Sequence, residues 1–128
     1  MSGRRLCLER PALPESVAPM RHALAAFLTL LDVSREVQID IVTAIGEALA
    51  NAVEHAYRGG PVGNVILMAC MESDGTFAVD VVDGGTFLAP RKRLDRGFGL
   101  RIVRSIARST KIDTETGTAI RMVFDLAR

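Results

Sequence analysis

The apolar positions change their period along the chain, and each change marks a new element. From Arg4 to Leu8 apolar and polar residues alternate weakly, which predicts a first strand. Pro11 and Pro14 punctuate a turn. Glu15 and Ser16 then open a helix whose apolar face runs through Met20, Leu24, Phe27, Leu28 and Leu31. Pro19 is expected in its first turn, where proline is tolerated. Asp32 to Ser34 interrupts this helix. Ser34 is placed to cap the next one, with Glu36 favourable near its positive end. That second helix runs from about Glu36 to Tyr57 on a stripe of Ile41, Ile45, Ala48, Leu49, Ala52 and Ala56, and Gly59-Gly60-Pro61 ends it.

The period then becomes strand-like. Asn64 to Met71 and Thr76 to Val82 predict two strands joined by a hairpin turn at Ser73-Asp74-Gly75. A polar, basic loop follows from Gly84 to Arg96. Gly97 to Ser109 reads as a helix with Leu100, Val103, Ile106 and Ala107 inward. Lys111 to Thr116, Gly117, and Thr118 to Leu126 read as a closing hairpin. The order β-α-α-β-β-α-β-β predicts an α+β fold, a two-layer sandwich of a mostly antiparallel sheet with helices on one face. No repeat or linker interrupts it, so residues 1–128 are expected to form one domain.

Composition narrows the partners. The chain is 48% apolar and 24% charged, with a net charge of +1, so no global field argues for DNA, a membrane or a polyanion. With no Trp and one Tyr, there is little material for stacking bases. Apolar stretches are broken by charges well before the ~20 residues of a membrane span. The charged N-terminus lacks an apolar run of signal-peptide type, which points to the cytoplasm. In that compartment Cys7 and Cys70 are expected as buried free thiols.

Three stretches carry candidate chemistry. Glu47, Asn51 and His55 are spaced four apart on the second helix, so their side chains form one polar row. A solvated helix face is the ordinary fate of such a row. Asp83 follows an apolar strand and precedes Gly84 and Gly85, whose missing side chains let a flat group approach the backbone. By itself this is also a plain Asp-Gly turn. Arg96-Gly97-Phe98-Gly99-Leu100 leads into a helix whose free amides suit phosphate. It is neither a dinucleotide fingerprint, lacking the third glycine, nor a Walker-type loop, lacking Gly-Lys-Ser/Thr.

Together and in this order, the three resemble the N, G1 and G2 boxes of the GHKL ATPase superfamily. Glu47-x-x-x-Asn51-Ala52-x-x-His55-x-Tyr57 is similar to the N box of its anti-sigma serine-kinase branch. Asp83-x-Gly85 matches G1, Gly97-x-Gly99-Leu100 matches G2, and Gly117-Thr118 matches the Gly-Thr before the family's last strand. The resemblance covers the chain from Glu15 onward and implies a Bergerat-type fold binding ATP and Mg2+.

By this resemblance Asn51 would be the magnesium ligand, and Asp83 would accept the adenine amino hydrogen. Gly85 would make room for the ring, and Thr118 would complete the polar contact. Gly97, Phe98, Gly99 and Leu100 would line the phosphates, Gly97, Gly99 and Leu100 through backbone amides, with His55 near the phosphate end. Glu47 would be the general base for an attacking hydroxyl. Arg91, Lys92, Arg93 and Arg96 would form a basic lid, although a solvated loop has the same composition.

Histidine kinases carry a separate phosphoacceptor domain, for which this length leaves no room, and the segment from Asp83 to Gly97 is short beside the lids of gyrase B and Hsp90. The serine-kinase branch remains. There the resemblance implies an anti-sigma-type regulator that binds a sigma factor or similar client and phosphorylates a Ser/Thr on a STAS-type antagonist. A nucleotide-gated binding module with the same pocket, or an ATPase fragment of a larger machine, are the alternatives. One departure matters: Phe87 stands at the second glycine of G1, followed by Pro90, which implies a stiffer lid hinge and puts turnover in question. Relatives of this type pair, so a homodimer is expected. Met20, Ala23, Leu24, Phe27, Leu30 and Leu31 form a first-helix stripe wider than one packed face needs.

Overall fold

The computed structural model describes residues 4–55, 63–84, 98–115 and 117–126. The elements are β1 (Arg5–Pro11), α1 (Pro14–Leu30), α2 (Arg35–His55), β2 (Asn64–Met71), β3 (Thr76–Asp83), α3 (Phe98–Ile106), β4 (Ser109–Asp113) and β5 (Thr118–Asp125). The strands form one antiparallel five-stranded sheet in the order β1-β2-β3-β5-β4. This is the expected α+β arrangement: α2 packs on the sheet, and α1 and α3 pack on α2.

Local chemistry explains most boundaries. Ser34 caps α2 as expected, accepting from the Val37 amide at 3.3 Å. In the β2–β3 turn, Asp74 accepts from the Thr76 amide at 3.0 Å and its hydroxyl at 2.6 Å, and these bonds hold the Asp74 carboxyl below its usual range. Gly75 supplies the positive φ of +87° that the turn requires.

Three boundaries differ from the sequence reading. β1 runs to Pro11, because register with β2 continues to Pro11↔Asn64 and a proline closing an edge strand costs no ladder bond there. α1 begins at Pro14, which leaves Pro19 inside the helix beyond its first turn, where its missing N–H forfeits a bond to Glu15. α3 ends at Ile106, because the Arg108 amide already donates to the Val123 carbonyl at 2.7 Å and draws the chain into the sheet.

The core lies between the sheet and α2. Ile41, Ile45 and Leu49 from α2 meet Leu67, Phe77, Val79, Met122 and Phe124, all buried. α1 adds Met20, Leu24, Leu28 and Phe27, whose ring lies 6.1 Å from that of Phe77. The wide α1 stripe is therefore mostly core: Met20, Leu24 and Phe27 are buried, Ala23 and Leu31 half-buried, and Leu30 alone is fully presented at 64% exposure. The cysteines also depart from expectation. Cys7 is exposed and Cys70 half-buried, because the β1–β2 register turns both away from the helices.

Phe77→Ala empties the place where α1 meets the sheet, and should cost about 3–5 kcal/mol. Urea denaturation of parent and variant measures this directly.

Candidate nucleotide site

α2 buries Ala44, Ile45, Ala48, Leu49 and Ala52. Glu47 and Asn51 stand beside this face, half-buried and one turn apart. The Asn51 Nδ2 is fully enclosed yet has no hydrogen-bond partner among the described residues. An unsatisfied buried amide costs roughly 1–3 kcal/mol, so its retention marks a place where a polar partner is wanted. His55 closes α2 one turn further on, and its side chain lies outside the described residues.

β3 carries the second group. Alternation along the strand turns Phe77, Val79 and Val81 toward the helices, and Asp83 follows them. Asp83 is thus 4% exposed at the strand end, directly opposite Thr118 on β5, which is 6% exposed. Two polar side chains therefore sit side by side at the rim of the apolar core.

Gly117 holds this corner together. Its φ is +91°, and a Cβ there would collide with the Asp83 carbonyl oxygen and come within 3.1 Å of the Gly84 Cα. Only glycine permits both the turn and the approach. The sequence assigned Gly117 a place in a motif but no task. Its contact with Asp83 joins neighbouring strands far apart in sequence and has no local signal.

The third group is the first turn of α3, built from the backbones of Phe98, Gly99 and Leu100. Its leading amides lack intrahelical acceptors, and no acidic residue competes in that turn. Gly85, Gly97 and the basic residues Arg91, Lys92, Arg93 and Arg96 lie outside the described residues. Because α2 packs on β3 and α3 on α2, all three groups share the helical side of the sheet.

Among the described residues, no three His, Cys, Asp or Glu side chains gather to hold a metal. A magnesium site shared between one amide oxygen and substrate phosphates needs no such cluster; at Asn51 the ligand would be Oδ1, while the unpartnered Nδ2 is a donor suited to a phosphate oxygen. No described helix is long and apolar enough to cross a membrane.

The fold and the site together define the class. The family model for a histidine kinase-like ATPase domain matches residues 10–124. The chain belongs to that family, the GHKL type of ATPase domain. Within it, the chain stands in the anti-sigma branch: it is 32% identical over 127 residues to the anti-sigma F factor of Heyndrickxia coagulans, covering 88% of this chain and 85% of the relative. It is 26% identical over 136 residues to the anti-sigma F factor of Clostridium beijerinckii, covering 97% and 94%. Two solved structures share the fold. The RsbU and RsbW domains of a Mycobacterium tuberculosis protein superpose with a TM-score of 0.80 at 24% identity, over 98% of this chain and 33% of that one. The SiaB–SiaC complex of Pseudomonas aeruginosa gives 0.70 at 15% identity, over 93% and 88%.

The Gly117 contact can be separated from its backbone strain. Gly75 has a similar φ of +87° but open space around its Cβ position. Alanine at either site should cost about 1–2 kcal/mol from the left-handed backbone. Gly117→Ala should lose a further ~1–3 kcal/mol from overpacking. Equal urea midpoints for the two variants would contradict the contact.

Proposed function

We propose that this chain binds ATP with magnesium and transfers the γ-phosphoryl group to a serine or threonine of a STAS-type antagonist protein. In the same reading it holds a sigma factor or similar client, in the bacterial cytoplasm, as a homodimer. The observation that carries the reading is the buried Asp83–Thr118 pair at the β3 end, with the orphaned Asn51 amide on the same side of the sheet. The names of the anti-sigma F factor relatives support a sigma factor as the client.

Each residue then has a task. The Asp83 carboxylate accepts a hydrogen from the adenine amino group, Thr118 adds a polar contact beside it, and Gly85 leaves space for the ring. The leading amides of α3, with Gly97, Gly99 and Leu100, receive the phosphates. Asn51 would hold the magnesium ion, which supplies charge neutralisation to the phosphate oxygens when bound. His55 lies toward the phosphate end.

Glu47 takes the proton from the acceptor hydroxyl as its oxygen bonds to the γ-phosphorus, and the bond from that phosphorus to the bridging oxygen breaks to release ADP. Little else is required, because phosphoryl transfer rests mainly on positioning and charge stabilisation. A nucleotide-gated binding module with the same pocket is the second reading. Phe87 at the second glycine position of G1 supports it, since the resemblance implies a stiffer lid hinge there.

Labelled ATP incubated with a STAS-domain substrate separates the two. Under the kinase reading the parent labels the substrate, and Glu47→Ala binds ATP normally but transfers about 10²-fold more slowly. Absence of transfer with intact ATP binding would favour the gated module. Unchanged transfer in Glu47→Ala would remove that carboxylate from the mechanism.

A further inference from the structure

The helices cover one face of the sheet, and β1 and β2 present three sulfur atoms on the other. Leu6 and Leu8 pack toward the core, so Cys7 between them points away from the helices. Its cross-strand partner is Met68 on β2, which places their Cβ atoms roughly 4.5–5.5 Å apart on one face. Cys70 follows Met68 by two residues, so it shares that face and stands diagonal to Cys7. Cys7 is exposed, Met68 partly so and Cys70 half-buried. All three line one cavity of about 370 Å³, together with Arg5, Ala78 and Asp80.

Both thiols are free. Diagonal neighbours on adjacent strands lie roughly 7–8 Å apart at Cα, beyond the ~4.4–6.8 Å that a disulfide spans. The pair is too wide for a direct bond between its sulfurs. It is wide enough to admit one metal ion, with metal–sulfur bonds of about 2.3 Å on either side. Met68 is unbranched, and its rotatable bonds let the thioether reach the space between them.

The donor set selects the cation. Protein zinc sites take four nitrogen, oxygen or thiolate ligands, and no three His, Cys, Asp or Glu gather among the described residues. Two thiolates with a thioether are instead the soft set that suits copper(I).

The charges agree. A monovalent ion on two thiolates leaves one net negative charge. Arg5 stands on the cavity wall without an ion pair among the described residues, close enough to Cys70 to favour its thiolate. The carboxylates of Asp80 and Glu72 are offset by Arg121, at 2.8 and 3.8 Å. The Cys70 thiol donates to Glu72 at 3.1 Å, and burial pushes it up, so it keeps its proton until a cation displaces it.

We propose that Cys7, Met68 and Cys70 form a binding site for one copper(I) ion. Two thiol protons leave to solvent, each thiolate and the thioether donates one electron pair, and the copper stays monovalent. The ion would tie the edge strand β1 to β2, on the side of the sheet away from Asp83 and Asn51.

Titration of the full chain with copper(I), supplied without oxygen from its bicinchoninate complex, tests the site. The parent should take one ion per chain from the chelator and gain a thiolate-to-copper absorption in the ultraviolet. Cys7→Ser and Cys70→Ser should each weaken binding at least about a hundredfold, and Met68→Leu, which conserves volume and removes the sulfur, about tenfold. An equal amount of zinc should leave copper binding unchanged. In the parent, one equivalent of copper(I) should also shield Cys7 from a maleimide, a readout that holds even if a variant misfolds. No transfer from the chelator, parent-like affinity in both serine variants or in Met68→Leu, displacement by zinc, or unchanged labelling of Cys7 would each overturn the site. ATP enters none of these measurements, so their outcome is separate from the nucleotide reading.

Discussion

The pairing of β3 with β5 is the constraint on which the rest of this structure depends. Its register sets Asp83 against Thr118 and places Phe77 opposite Phe124 in the core. A slip by one residue would turn Asp83 outward and bury Asp80 and Arg121 instead. Two devices oppose that slip. The apolar alternation of β5 buries Ile120, Met122 and Phe124, and Gly117 seats the start of β5 against the Asp83 carbonyl. The site thus inherits its geometry from the same pairing that fills the core.

The sheet also divides the labour of the molecule. On its helical side the polar groups stand at the margin of the apolar core, where burial makes an unsatisfied amide costly and therefore selective for a ligand. On its other side apolar residues surround the Arg121–Asp80 ion pair, which sits on the central strands β3 and β5.

Much of this was legible in the chain itself. Every helix and strand was anticipated, because the long α2 stripe and the alternating strands give unambiguous periods. Asn51 falls within α2 and Thr118 opens β5, the elements that the periods predicted for them. What failed had long-range causes. The Arg108–Val123 bond that ends α3, and the register that turns Cys7 and Cys70 outward, join residues far apart in sequence. The α1 stripe looked too wide for one contact, because its spacing cannot reveal that α1 packs on both β1 and α2. Apolar runs such as those of β2 and β3 do not state which face is covered by what. The segments around Gly85 and Gly97 lie outside the described residues, so their part in the site rests on the resemblance.

The central claim is that Asp83 is the anchor of a nucleotide pocket. Calorimetric titration of ATP into the protein, with magnesium present, tests it most directly. The account predicts one saturable site per chain in the parent and at least a tenfold loss of affinity in Asp83→Asn, about 1.4 kcal/mol or more, with the fold intact by circular dichroism. Equal affinity in parent and variant, or no binding of ATP by the parent, would contradict it.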